Sequence, residues 1–161
     1  MKPILPSPTF VFAQPADALR LHALEQSCFA ADRISLRSYR RLVSSDSARI
    51  LMVLDAQAVG GEPQALLGSA VLLFRRRAQV ARVYSIAVAA QARKRGVASL
   101  LLAEAERCAR QRGCDRLSAE IRRDNAASLA TFHKAGFVTC GQYENYYADG
   151  MAAVRVQKNI K

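Results

Sequence analysis

Residues Tyr84 to Arg112 read Y-S-I-A-V-A-A-Q-A-R-K-R-G-V-A-S-L-L-L-A-E-A-E-R-C-A-R-Q-R. The first part is a strand, the middle a basic turn with one glycine, and the rest a long amphipathic helix. Val97, Leu100, Leu101, Ala105, Cys108 and Ala109 recur at helical spacing as one apolar stripe. Gly113 is placed to end that helix in a left-handed cap. A strand that empties into a helix start leaves several backbone N–H groups without intrahelical partners. The helix dipole adds partial positive charge there, which suits a phosphate or pyrophosphate. Arg93, Lys94 and Arg95 add cations beside those amides, and Gly96 permits close approach to the backbone.

Working outward, Thr9 to Ala13 reads as a first strand, and Pro15 suits the first turn of a helix running to Phe29, with Leu19, Leu21, Leu24 and Cys28 as its apolar positions. Ser35 is an N-cap for a short helix from Leu36 to Val43. Its Arg37, Arg40 and Arg41 are either a solvated face or a lining for a substrate site. Ile50 to Leu54 and Ala65 to Phe74 form a hairpin across the turn signal Gly60-Gly61-Glu62-Pro63, and Gln79 to Val88 returns beside them. After the central helix come a strand from Arg116 to Arg122 and a helix capped by Asp124 or Asn125 and ended by Gly136. A last antiparallel pair, Phe137 to Tyr147 and Ala152 to Ile160, is expected to turn at Asp149-Gly150. The order β-α-α-β-β-β-α-β-α-β-β predicts an α+β sandwich: a mixed, largely antiparallel seven-stranded sheet with helices on both faces. One domain is expected over residues 1–161.

Composition narrows the function classes. Hydrophobic residues at 51% and charged residues at 23% argue against disorder. No apolar run approaches the roughly 20 residues needed to span a bilayer. M-K-P-I-L-P-S-P lacks the apolar stretch of a signal peptide. A cytoplasmic protein without a membrane partner is expected. Cys28, Cys108, Cys114 and Cys140 include no C-x-x-C pair, and His22 and His133 are the only histidines, so no metal site is expected. The net charge of +11 attracts anions, but the basic-aromatic alternation of a single-strand binder is missing, so no nucleic-acid partner is expected. The sequence leaves oligomeric state open, a homodimer included.

The central turn is neither G-x-x-x-x-G-K-[ST] nor G-x-G-x-x-G. It reads Gln91, then Arg93-x-x-Gly96-x-Ala98. In this it resembles the [Q/R]-x-x-G-x-[G/A] signature of the GNAT acyltransferases, whose element order also matches. Downstream, Asp124-Asn125-x-x-Ser128-x-x-x-Phe132-x-x-x-Gly136-Phe137 is similar to the family's N-x-x-[AS]-x-x-x-[YF]-x-x-x-G-F segment. Glu120 in S-A-E-I-R and the Y-E-N-Y-Y-A-D-G segment look most like the ribosomal-protein N-terminal acetyltransferases of bacteria.

The resemblance implies acetyl-CoA as co-substrate. Its pyrophosphate would lie on the amides of Arg93, Lys94, Arg95, Gly96, Val97, Ala98 and Ser99. Its pantetheine arm would pair with the backbone of Ile86, Ala87 and Val88, and Asn125 and Phe132 would lie along it. Asn125 is equally a plain N-cap. The resemblance also makes Glu120 the general base, often through water. By pattern alone a strand glutamate flanked by Ser118 and Arg122 on its own face looks to solvent. At pH 7, deprotonating an α-amine of pKa near ~8 costs about 1.4 kcal/mol, and a lysine amine near ~10.4 about 4.6. An α-amine therefore needs little of its base. Phe132 stands where many members of the family carry a tyrosine that protonates the departing thiolate. Tyr143, Tyr146 and Tyr147 are candidate replacements, Tyr146 being chosen, and Cys140 is the one thiol to test as a nucleophile. The preferred acceptor is a protein or peptide N-terminal α-amine. The alternatives are a small-molecule amine of polyamine or aminoglycoside type, and a non-catalytic acyl-CoA or nucleic-acid-binding module.

Overall fold

The computed structural model describes residues 8–56 and 63–161. The strand β2 (Ala48–Leu54) is apolar on both faces: Ile50, Met52 and Leu54 enter one cluster, Leu51 and Val53 another. A strand of that kind must be covered on both sides. The first cluster is closed by Ala18 and Leu21 of α1 (Ala18–Cys28) and by Tyr39 of α2 (Leu36–Leu42). The second is closed by Val97, Leu101, Leu102 and Ala105 of α3 (Val97–Gln111) and Phe132 of α4 (Ala126–Lys134). The remaining strands are β1 (Thr9–Phe12), β3 (Leu66–Phe74), β4 (Val80–Val88), β5 (Arg116–Arg122), β6 (Val138–Tyr143) and β7 (Ala153–Asn159). They form one seven-stranded sheet in the order β1-β2-β3-β4-β5-β7-β6, in which β4–β5 is the parallel pair. This is the expected mixed, largely antiparallel sheet with helices on both faces.

The caps behave as the sequence implies. Ser35 Oγ accepts from the Ser38 amide and Asn125 Oδ1 from the Ser128 amide, each at 3.1 Å. Gly113 takes φ +77° after α3. The last two strands pair antiparallel as expected, with β7 between β5 and β6, which buries the apolar Val154 and Val156 and leaves the polar β6 at the edge. Two expectations change. Leu19 and Leu100 are exposed, and Leu102 and Glu25 are buried: α1 turns Ala18, Leu21, Leu24 and Glu25 inward, and α3 turns Val97, Leu101, Leu102, Ala105, Cys108 and Ala109 inward. Asp149-Gly150 does not join the two strands as a two-residue turn. The pairing ends at Tyr143↔Ala153, and the segment 144–152 carries its own turn, in which the Gly150 amide donates to the Tyr147 carbonyl at 2.9 Å. Gly60, Gly61 and Glu62 lie outside the described residues.

Gly68 on β3 has a packing reason that the sequence does not display. A Cβ there would lie 2.9 Å from Val97 Cγ1 and 3.0 Å from the Ala87 carbonyl oxygen. Its absence lets the first turn of α3 press against the sheet beside β4.

Candidate active site

β4 and β5 start as a parallel pair and then separate. Their register runs Val80↔Arg116, Ala81↔Leu117, Arg82↔Ser118 and goes no further. On its other edge β4 pairs Val83 with Leu72 and Ser85 with Val71, so Tyr84 is an extra residue. Such a bulge bends its strand and raises the local twist. The result is a cleft of about 340 Å³ with Ser85 and Ile86 on one wall and Ala119, Glu120, Asn125 and Phe132 on the other.

At one end of the separated strands stands the start of α3. Lys94 and Gly96 take φ +60° and +81°, and no described side chain caps the helix. The first intrahelical bond is from the Leu100 amide to the Gly96 carbonyl at 3.0 Å, so the preceding amides are left for a ligand. The buried Arg95 Nε has no partner among the described residues. Uncapped amides beside an orphaned guanidinium nitrogen fit an anion such as a pyrophosphate. Of the other residues expected along the co-substrate, Ile86, Asn125 and Phe132 line the cleft, with Asn125 also capping α4. Ala87 packs its side chain into the core. The Val88 carbonyl already accepts from Cys28 Sγ at 3.3 Å and Arg93 Nε at 3.4 Å. Ser99 lines a neighbouring depression with Glu106, Lys134 and Lys158.

Glu120 does not look to solvent: its side chain is 8% exposed. It sits on β5 between β4 and β7, and an arginine reaches it from each neighbour. Arg82 Nε donates to Glu120 Oε2 at 2.8 Å, and Arg155, directly opposite in the register, brings Nε to 3.6 Å from Oε1. Two tyrosines of the final hairpin continue these pairs. Arg82 Nη2 donates to the Tyr146 hydroxyl at 2.9 Å and Arg155 Nη1 to the Tyr143 hydroxyl at 2.8 Å. Tyr146 and Tyr147 line the cleft with Glu120, whereas Tyr143 does not. Burial foremost, then the neighbouring Tyr146, pushes the Tyr147 phenol up to about 12. Phe132 is buried edge-to-face against Phe137, with ring centroids 5.0 Å apart. His133 turns outward to Thr139 Oγ1. Arg37, Arg40 and Arg41 are exposed and outside the cleft. Cys140 also lies outside it, its Sγ turned to the Arg155 carbonyl, and burial pushes the thiols of Cys108 and Cys114 up.

Two further groups at the cleft were not singled out from the sequence. Glu25 of α1, 2% exposed, accepts from the Ile34 amide at 3.0 Å and from the Tyr39 hydroxyl at 2.9 Å. It ties α1 to the segment entering α2, and burial, with Glu25 nearby, pushes the Tyr39 phenol up. Its only sequence signal is an acidic residue one turn from Leu21 on the buried stripe. Arg122 meets Asp32, Asp124 and Asp149 at 3.1, 3.3 and 2.6 Å and stacks on Tyr147 at 4.9 Å. It pins the loop after α1 and the loop after β6 to the end of β5. The hydrogen bond from Arg122, together with one from the Met151 amide, holds the Asp149 carboxyl below its usual range.

Residues 18–137 match the profile of the Acetyltransferase (GNAT) family. The chain belongs to that family. The ribosomal-protein-S18-alanine N-acetyltransferase from Escherichia coli has the same fold as this chain, with a TM-score of 0.80 at 21% identity over 96% of this chain and 95% of that one. A chain of the NatC complex bound to Gag peptide and CoA matches with a TM-score of 0.81 at 17% identity, over 97% and 100%. Among curated proteins, the N-alpha-acetyltransferase MAK3 of Arabidopsis thaliana is 32% identical over 65 residues, 40% of this chain. That match spans about a third, 34%, of the length of the curated relative. Among the described residues no helix is long and apolar enough to cross a membrane, and no cluster of metal-ligating side chains is found.

Proposed function

We propose that this protein transfers an acetyl group from acetyl-CoA directly to an amine, and that the preferred acceptor is the α-amine at the N-terminus of a protein or peptide. The observation that carries this reading is the opening between β4 and β5, with free helix-start amides at one end and Glu120 at the other. The α3 start, from Arg93 to Ser99, would hold the pyrophosphate; Asn125, Phe132 and the backbone from Ile86 to Val88 would flank the pantetheine arm. Acetyl-CoA supplies an acyl carbon activated as a thioester. Glu120 receives the proton that the amine loses as nitrogen bonds to that carbon. Tyr146 donates its hydroxyl proton to sulfur as the carbon–sulfur bond breaks, the task Phe132 cannot perform. The proton then returns from Glu120 to Tyr146 through solvent.

The α-amine preference follows from the cost of deprotonation. An α-amine reaches its neutral form for about 1.4 kcal/mol at pH 7, against about 4.6 for a lysine amine, so it asks less of Glu120, whose oxygens already face Arg82 and Arg155. The names of the matched N-alpha-acetyltransferase MAK3 and of the ribosomal-protein-S18-alanine N-acetyltransferase support the same reading.

Release of free thiol from acetyl-CoA tests the reading. The panel holds peptides with a free N-terminus, N-terminally blocked peptides containing lysine, and small polyamines. Turnover on free N-termini, reduced in Glu120→Gln, is expected. Turnover confined to lysine or polyamines would refute the acceptor assignment, and CoA binding without any turnover would refute the enzyme.

A further inference from the structure

Arg82 is the last β4 residue with a partner on β5, so its backbone is held in the sheet where the cleft opens. Its side chain is half-exposed and leans on the Tyr84 ring, Cζ 5.2 Å from the centroid. From there Nε donates to Glu120 Oε2 at 2.8 Å and Nη2 to the Tyr146 hydroxyl at 2.9 Å. Glu120 belongs to a strand of the sheet and Tyr146 to the loop between β6 and β7. Among the described residues Arg82 is the side chain that hydrogen-bonds to both, while Arg155 reaches Glu120 from the other side at 3.6 Å.

The chemistry of that contact is directional. A phenol oxygen that accepts an N–H keeps its own proton to donate, because the arginine cannot accept one. The fork geometry lets one plane serve two acceptors at once, which a lysine ammonium on a flexible stem does not reproduce. We propose that Arg82 is the positioning residue of the acceptor half: it orients the carboxylate that takes the proton of the amine and the phenol that protonates the departing sulfur. The proposal rests on the acetyl-transfer reading above. It gives the chain, which carries phenylalanine at 132, a means of aiming a phenol from a different element.

Arg82→Gln, Arg82→Lys, Tyr146→Phe and the double variant Arg82→Gln/Tyr146→Phe test it, each measured for kcat, acceptor KM and acetyl-CoA KM. Wild-type turnover on the peptide panel comes first; its absence would sink the acetyl-transfer reading and this proposal with it. Given turnover, Tyr146→Phe and Arg82→Gln are each expected to lower kcat about 10-fold or more, the scale of a positioned proton donor, with acetyl-CoA KM within about 2-fold. Arg82→Lys recovers less than half of the loss. The double variant falls little below Arg82→Gln, since that variant already misaims the phenol that Tyr146→Phe removes. Full recovery by lysine, multiplicative losses in the double variant, or an unchanged kcat would overturn the assignment. Tyr146 is 42% exposed, so its phenylalanine variant folds even if Arg82→Gln does not, and a wild-type kcat in it alone refutes the proposal.

Discussion

Substituting Gly96 by alanine separates two reasons for a glycine at the start of α3. Its φ of +81° lies in the left-handed region, and an added Cβ meets nothing within 4 Å. The cost to the free protein is then conformational only, about 1–2 kcal/mol for an alanine held there. In a chain of this size that lowers Tm by about 2–8 °C. Gly113 at the other end of the same helix supplies a matched control: φ is +77°, and its Cβ also meets open space. Gly96→Ala and Gly113→Ala should therefore lose similar stability in calorimetry. They should differ in CoA titrations by isothermal calorimetry. If the space beside Gly96 receives the pyrophosphate, the methyl group crowds it, and Gly96→Ala binds CoA about 10-fold more weakly, about 1.4 kcal/mol. Gly113→Ala binds it as the wild type does. Equal CoA affinity in the two variants would refute the placement of the pyrophosphate at this turn, whatever happens to Tm.

Three other outcomes follow from individual contacts. Phe132→Tyr restores a phenol at the cleft wall and should raise kcat several-fold while reducing the effect of Tyr146→Phe; a stopped thiol-release assay on both backgrounds checks it. Gly68→Ala forces a Cβ to 2.9 Å from Val97 Cγ1 and should cost about 1–3 kcal/mol in urea melts, the usual range for overpacking. At alkaline pH, the raised phenol of Tyr147 (about 12) implies that the folded state keeps a proton that the unfolded chain loses from about pH 10 upward. Its contribution to stability is complete below pH 10 and disappears as pH rises toward 12; denaturation midpoints measured across that window should fall less steeply in Tyr147→Phe.

Much of the fold was legible because it rests on local chemistry. The helical period from Val97 to Ala109, the caps at Ser35 and Asn125 and the left-handed Gly113 and Gly136 are each decided within a few residues of chain. The same is true of the basic turn, whose amides are free because a helix starts there. What was misread depends on partners distant in sequence. Leu19 looks like a core residue until the sheet shows which side of α1 it covers, and Asp149-Gly150 looks like a hairpin until the strand ends are seen at Tyr143 and Ala153.

The division runs through the site itself. By itself the sequence indicated where an anion could sit, since a helix start, one glycine and three basic residues lie between Arg93 and Gly96; the structure added the positive φ angles of Lys94 and Gly96. The sequence pattern left Glu120 on a polar strand face, and the family resemblance alone made it a base. Only the tertiary structure decided that this carboxylate is buried between Arg82 and Arg155, because the insertion of β7 beside β5 and the separation of β4 after Arg82 are choices of strand order. Strand order is set by which apolar faces can be covered together, a condition on the whole sheet that no short stretch of chain carries.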